Sequence, residues 1–134
     1  MAKTNTHGTI SNIENFFSML LAKAKVSKNV FIGDLPPTTD KGWTDFILVD
    51  VGKQTPNGAC FVGYANVYLY ARPISGKSLR KNVKVLQTME EAFDTAIAAS
   101  KDKNYVLQEL YRDSGFDTNR QFHYNMIGVS VIVR

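Results

Sequence analysis

Much of the usual chemistry is missing from this chain. It has a single cysteine, Cys60, which excludes an internal disulfide and a multi-cysteine zinc centre. In Ala59-Cys60-Phe61-Val62 that cysteine reads as a small hydrophobe rather than a reactive thiol. Only two histidines occur, His7 and His123, and without cysteine partners they supply no familiar metal-ligand spacing. Gly52, Gly58 and Gly63 are separated by strand and turn residues, so no phosphate-cradling glycine loop opens a helix. Asp45 and Asp50 bracket an apolar strand at an odd offset and point to opposite faces, which prevents them from working as a carboxylate pair. Asp113, Asp117 and Asn119 lack the glycine and terminal glutamate of a calcium loop and read as a polar turn. No apolar run approaches the ~18 residues of a membrane span, and Met1 to Gly8 lacks the apolar core of a secretory signal, which points to a reducing cytoplasm. An enzyme, a cofactor and a membrane partner are therefore not expected.

What remains is a globular composition, 44% hydrophobic and 21% charged over 134 residues, enough for one domain with its own core. Residues 1–9 are expected to form a flexible lead. Ile10, Ile13, Phe16, Phe17, Leu20, Leu21 and Ala24 recur at helical spacing, with Ser11 and Glu14 in capping-box register, and predict a helix over 11–25. A short edge strand, 29–34, ends at Pro36-Pro37. The apolar stretch 45–51 predicts a buried strand, and 52–58, with Pro56-Asn57-Gly58, a hairpin turn. Strands are expected at 59–72, 105–112 and 121–133, a second helix at 82–100 and a turn at 113–119. The order α-β-β-β-α-β-β predicts an α+β fold, a mainly antiparallel sheet with two helices on one face and a long β-hairpin. Loops 35–44 and 73–81 are the segments expected to move.

The third strand carries the functional signal. Its alternation sets Tyr64, Asn66, Tyr68, Tyr70 and Arg72 on one face, against Phe61, Ala65, Val67, Leu69 and Ala71 on the other. Two readings fit the length of this strand: a bend at Gly63, or a hairpin projecting beyond the body. Two readings also fit the tyrosine face: an interface rich in Tyr and Arg, or a surface covered by a helix with its hydroxyls bonded internally. A stacked-aromatic platform for nucleic acid would want basic residues along the strand, and only Arg72 is there. The net charge of +4 is scattered, densest at Lys77, Arg80, Lys81 and Lys84.

The element order, the Trp43-Thr44-Asp45-Phe46-Ile47-Leu48-Val49-Asp50 strand and the run Gly63 to Pro73, with Tyr68-Leu69-Tyr70-Ala71-Arg72 before the second helix, resemble the tail-terminator and head-tail connector (neck ring) proteins of tailed bacteriophages. The resemblance implies a structural virion protein without catalytic residues. It would be a subunit of a ring of six or twelve copies around the DNA channel, touching portal, connector or tail neighbours. On that reading Trp43, Tyr64, Tyr68, Tyr70 and Arg72 make subunit contacts, while Lys77, Arg80, Lys81 and Lys84 face non-specific DNA or an acidic neighbour. The competing expectation is a small cytoplasmic accessory domain that binds a partner protein by sheet-edge or aromatic-face contacts.

Overall fold

The computed structural model describes residues 6–74, 78–100 and 102–134. Helix α1 (Ile10–Ala24) begins where the Thr9 side chain accepts the Asn12 N–H at 3.2 Å, so Thr9 and not Ser11 is the cap. Ahead of it, Thr6–Gly8 form one 3₁₀ turn; Gly8 is buried, and the Tyr105 hydroxyl donates to the His7 carbonyl at 3.1 Å. Residues 6–8 of the expected flexible lead are thus folded onto the body, and residues 1–5 lie outside the described residues. Helix α2 (Val83–Ala99), within the predicted 82–100, is capped by Asn82, whose side chain accepts from Val85 N–H. Ile13, Phe17 and Leu21 of α1, with Leu86, Met89, Phe93 and Ala96 of α2, form the buried stripes at steps of three and four.

The strands are β1 (Val30–Ile32), β2 (Asp45–Asn57), β3 (Cys60–Ala71), β4 (Tyr105–Asp117) and β5 (Phe122–Val133). They form one five-stranded sheet in the order β1-β2-β3-β5-β4, antiparallel except for the parallel β1–β2 pair. The result is the α+β class with both helices on one face. Parallel neighbours need a crossover, because the chain must return to the starting end. Here the 33–44 segment makes that return over the face opposite the helices, where Leu35 and Trp43 join Phe46, Tyr70 and Phe122 in a second, smaller core.

Two strands run further than their turn-like residues suggest. β2 continues through Gly52 and Pro56 to Asn57, and only Gly58 and Ala59 connect it to β3, with Gly58 at φ +64°. Pro56 is tolerated because β1 pairs only with Ile47 to Val49, which leaves the outer edge of β2 without a neighbour beyond that point. β4 likewise absorbs the expected turn: Asp113 pairs with Met126 and Gly115 with Tyr124, and the chain reverses only at 118–121. β3 neither bends nor projects. It is continuous and paired with β5 from Phe61 to Ala71, and the irregularity falls on β2, where Gly52 and Lys53 together oppose Tyr64. A second bulge sits in β4 at Leu110, between the Glu109–Val129 and Tyr111–Gly128 pairs.

Candidate functional site

The register lays out the face away from the helices row by row. Asp50, Asn66, Gly128 and Tyr111 form one line across β2, β3, β5 and β4. On one side of it lies Tyr64-Ser130-Gln108; on the other come Leu48-Tyr68-Met126-Asp113 and then Phe46-Tyr70-Tyr124-Gly115. Period-two alternation and the β4 bulge together put these residues on one surface. Five tyrosines therefore share the face, three from β3 and one each from β4 and β5.

The face has a covered half and an open half. At the Phe46 end the rings stack closely: Phe46 on Tyr70 at 4.4 Å between centroids, Phe46 against Phe122 at 5.1 Å and Trp43 against Phe46 at 5.7 Å. The crossover segment that covers them is tied by two arginines. Arg72 donates from Nε to the Trp43 carbonyl at 2.8 Å and from Nη2 to the Asp40 and Lys41 carbonyls at 3.1 Å, with its guanidinium 5.0 Å above the Phe122 ring. Arg120 donates to the Pro36 carbonyl and to Thr39 Oγ1. The expected mobile loop 35–44 is in this way fastened at both ends.

Toward the other end the surface is open. Tyr64 is 59% exposed and Tyr111 48%, with half-buried Tyr68 and Tyr124 next to the covered end, 5.6 Å apart edge to face. The Tyr111 ring lies across β5 at Gly128, where a Cβ would collide with it, and its hydroxyl donates to Asn66 Oδ1 at 3.0 Å. A residue of the sheet's edge is thereby bonded to its centre. Burial, then the nearby Asp50 carboxylate, raises the Tyr68 hydroxyl above its ordinary value. Burial, reinforced by Asp117, pushes the Tyr70 hydroxyl up to about 12.

The sequence-predicted residues divide accordingly. Tyr64 and Tyr68 stand on the open surface. Tyr70 is only 6% exposed and packs inside the chain, so it supports the face and cannot itself be a contact. Arg72 and half-buried Trp43 secure the crossover; every contact of the Arg72 guanidinium is internal. Among the cationic residues, Lys77 lies outside the described residues, Arg80 and Lys84 are exposed, and Lys81 donates to Asn125 Oδ1 at 3.0 Å. Asn125 in turn donates to Glu90, which pairs with Arg112; Arg112 also meets Asp94 and Glu109. Burial opposes the Arg112 charge, but those three carboxylates outweigh it and hold the guanidinium more firmly protonated. Sequence reasoning missed Tyr111, because the Leu110 bulge hides its parity, and it did not join Tyr124 and Asp50 to the tyrosine row, because that needs the register.

Elsewhere little converges. His123 Nε2 lies 2.6 Å from the Leu79 carbonyl and its ring packs on Phe116. Among the described residues no three His, Cys, Asp or Glu side chains form a group that could hold a metal ion. A shallow groove of about 1070 Å³ runs between the helices, lined by Phe16, Met19, Leu20, Ala92, Ala96 and Ala99 among others. No described helix is long and apolar enough to cross a membrane. No protein-family model matches the chain, and no curated protein matches it.

Proposed function

We propose that the chain is a structural subunit of a tailed-bacteriophage virion, one copy in a ring at the head-tail interface or tail end that joins virion parts around the DNA channel. The observation that carries this reading is the open tyrosine surface. Tyr64, Tyr68, Tyr111 and Tyr124 lie on the one sheet face that no helix covers, in the Tyr-rich, hydroxyl-bearing composition of protein interfaces. The resemblance in element order and in the Tyr68-Leu69-Tyr70-Ala71-Arg72 strand supports the same role. Contacts to neighbouring copies fall to those four tyrosines, with Tyr70, Trp43 and Arg72 holding the surface from beneath. Of the cationic residues, exposed Arg80 and Lys84 face DNA or an acidic neighbour.

Native mass across a wide concentration range tests the proposal: a discrete species of six or twelve copies is the expected result, and a strict monomer alone or with purified tail or neck proteins overturns it. A second reading, an accessory domain that takes a partner protein by strand addition, draws on the outer edge of β4, which has no neighbour in the sheet along its 13 residues. A monomer that binds one partner stoichiometrically supports that reading instead.

A further inference from the structure

The long outer strand is the least protected part of the sheet. Gln108 to Ser114 of β4 are exposed on both faces, and no strand pairs with the outer side of their backbone. Alternate N–H and C=O groups there point to solvent, the arrangement that takes up an extended peptide. The other free edge differs. Beyond Val49 the outer side of β2 is interrupted by the bulge at Gly52 and Lys53, then by Pro56, which has no N–H to give.

Charge around β4 selects the kind of strand that fits. On the helix side Glu90, Asp94 and Glu109 surround Arg112, three carboxylates against one guanidinium. On the opposite face Asp113 is exposed; its Oδ1 accepts the Ser114 N–H at 2.8 Å, and among the described residues no ion pair reaches it. At the far end of the strand Asp117 is matched by Arg120. Exposed Lys103 and Arg134 lie at the opposite end, next to Tyr105, where the Arg134 N–H donates to the Asn104 carbonyl. Lys53 is three strands away on β2. The stretch from Glu109 to Asp117 is therefore acidic, with both of its arginines already engaged inside the chain. A second copy's β4 laid along it would set carboxylates against carboxylates, and like charges across a strand pair are unfavourable.

We infer that the Tyr111–Asp117 half of β4 accepts an extended, lysine- or arginine-rich segment of a different protein. Its backbone pairs with the free outer edge, while its basic side chains stand beside Asp113 on one face and beside the Glu90, Asp94 and Glu109 carboxylates on the other. This rests on the strand-addition reading above and adds the chemistry of the partner. Pairing starts at Tyr111 because the extra residue at Leu110 breaks the repeat before it.

Fluorescence anisotropy of the full-length chain with labelled peptides, each as long as the 111–117 segment, tests the inference. A peptide alternating lysine with threonine should bind, and its glutamate counterpart should not. Asp94→Asn/Asp113→Lys should weaken the lysine peptide at least about tenfold. The same peptide N-methylated on every residue has no N–H for a ladder and should not bind, and backbone amide exchange should slow in 111–117 only with the unmethylated form. Lysine and glutamate peptides that bind equally, or a double variant that binds like the wild type, overturn the basic partner and leave strand addition standing. A methylated peptide that binds as well as the unmethylated one overturns the pairing, leaving only charge attraction. No binding by any of the peptides up to about 1 mM overturns the inference and the strand-addition reading together.

Discussion

The two faces of this sheet are built from the same strands and do different work. On the helix side Ile47, Val49, Val67, Leu69, Ile127, Val129 and Val131 are sealed beneath Ile13, Phe17, Leu21, Leu86, Met89 and Phe93. On the other side the alternate residues are tyrosine, aspartate, asparagine and methionine, covered by a crossover segment at one end and open at the other. Each fully buried side chain contributes about 1.5–3 kcal/mol, so the helix side, with the larger buried set, supplies most of the folding energy. Tyrosine can leave its hydroxyl in water and still offer a large ring to a partner. The helix face therefore holds most of the molecule together, while the open half of the other face can be solvated or occupied.

Adjacent residues of β3 give the sharpest test of this division. Leu69→Ala, or Phe17→Ala in the same core, should cost about 2–5 kcal/mol in denaturant unfolding; a loss as small as that of a surface substitution would refute the assignment of stability to the helix side. On the open side Gly128→Val should cost roughly 1–3 kcal/mol by driving a branched side chain into the Tyr111 ring. The smaller Tyr111→Phe change, which removes only the bond to Asn66, should cost about 1 kcal/mol. Arg72→Ala should cost about 1–2 kcal/mol through its lost carbonyl bonds and red-shift the emission of Trp43, the sole tryptophan, as the crossover loosens.

Alkaline pH probes the covered half of the tyrosine face. Tyr70 is held neutral, its hydroxyl pushed up to about 12 from an ordinary 10. Its folded state thus binds the proton more tightly than the unfolded chain does. That contribution is complete below pH 10 and is lost as pH rises from 10 towards about 12, so stability should fall over that window and fall less in Tyr70→Phe. The smallest effect on folding is expected at Tyr64→Ser, within about 0.5 kcal/mol, yet that change should weaken self-association.

The elements that read clearly in the sequence were those with one dominant constraint. The apolar stripes of both helices and the alternation of β3 each follow from burial on a single side. The extents of β2 and β4 did not, because Gly52, Pro56, Asp113 and Gly115 are residues that usually end strands. Here they occupy a bulge, an edge without a neighbour and a face in contact with solvent. The fate of Tyr70 and Arg72 was hidden for another reason: Tyr70 is buried under, and Arg72 bonded to, a crossover that exists because β1 is parallel to β2, a pairing no local pattern announces.

The bulge at Leu110 has one more effect. β4 is a long outer strand with exposed Leu110 and Tyr111 at its middle, the kind of edge on which proteins stick to one another and form fibrils. The extra residue breaks the hydrogen-bonding repeat there, and charged Glu109, Arg112 and Asp113 crowd the break. A foreign strand can follow β4 in register only on one side of Leu110 or the other. The bulge thereby opposes the growth of one copy's sheet into another's along this edge.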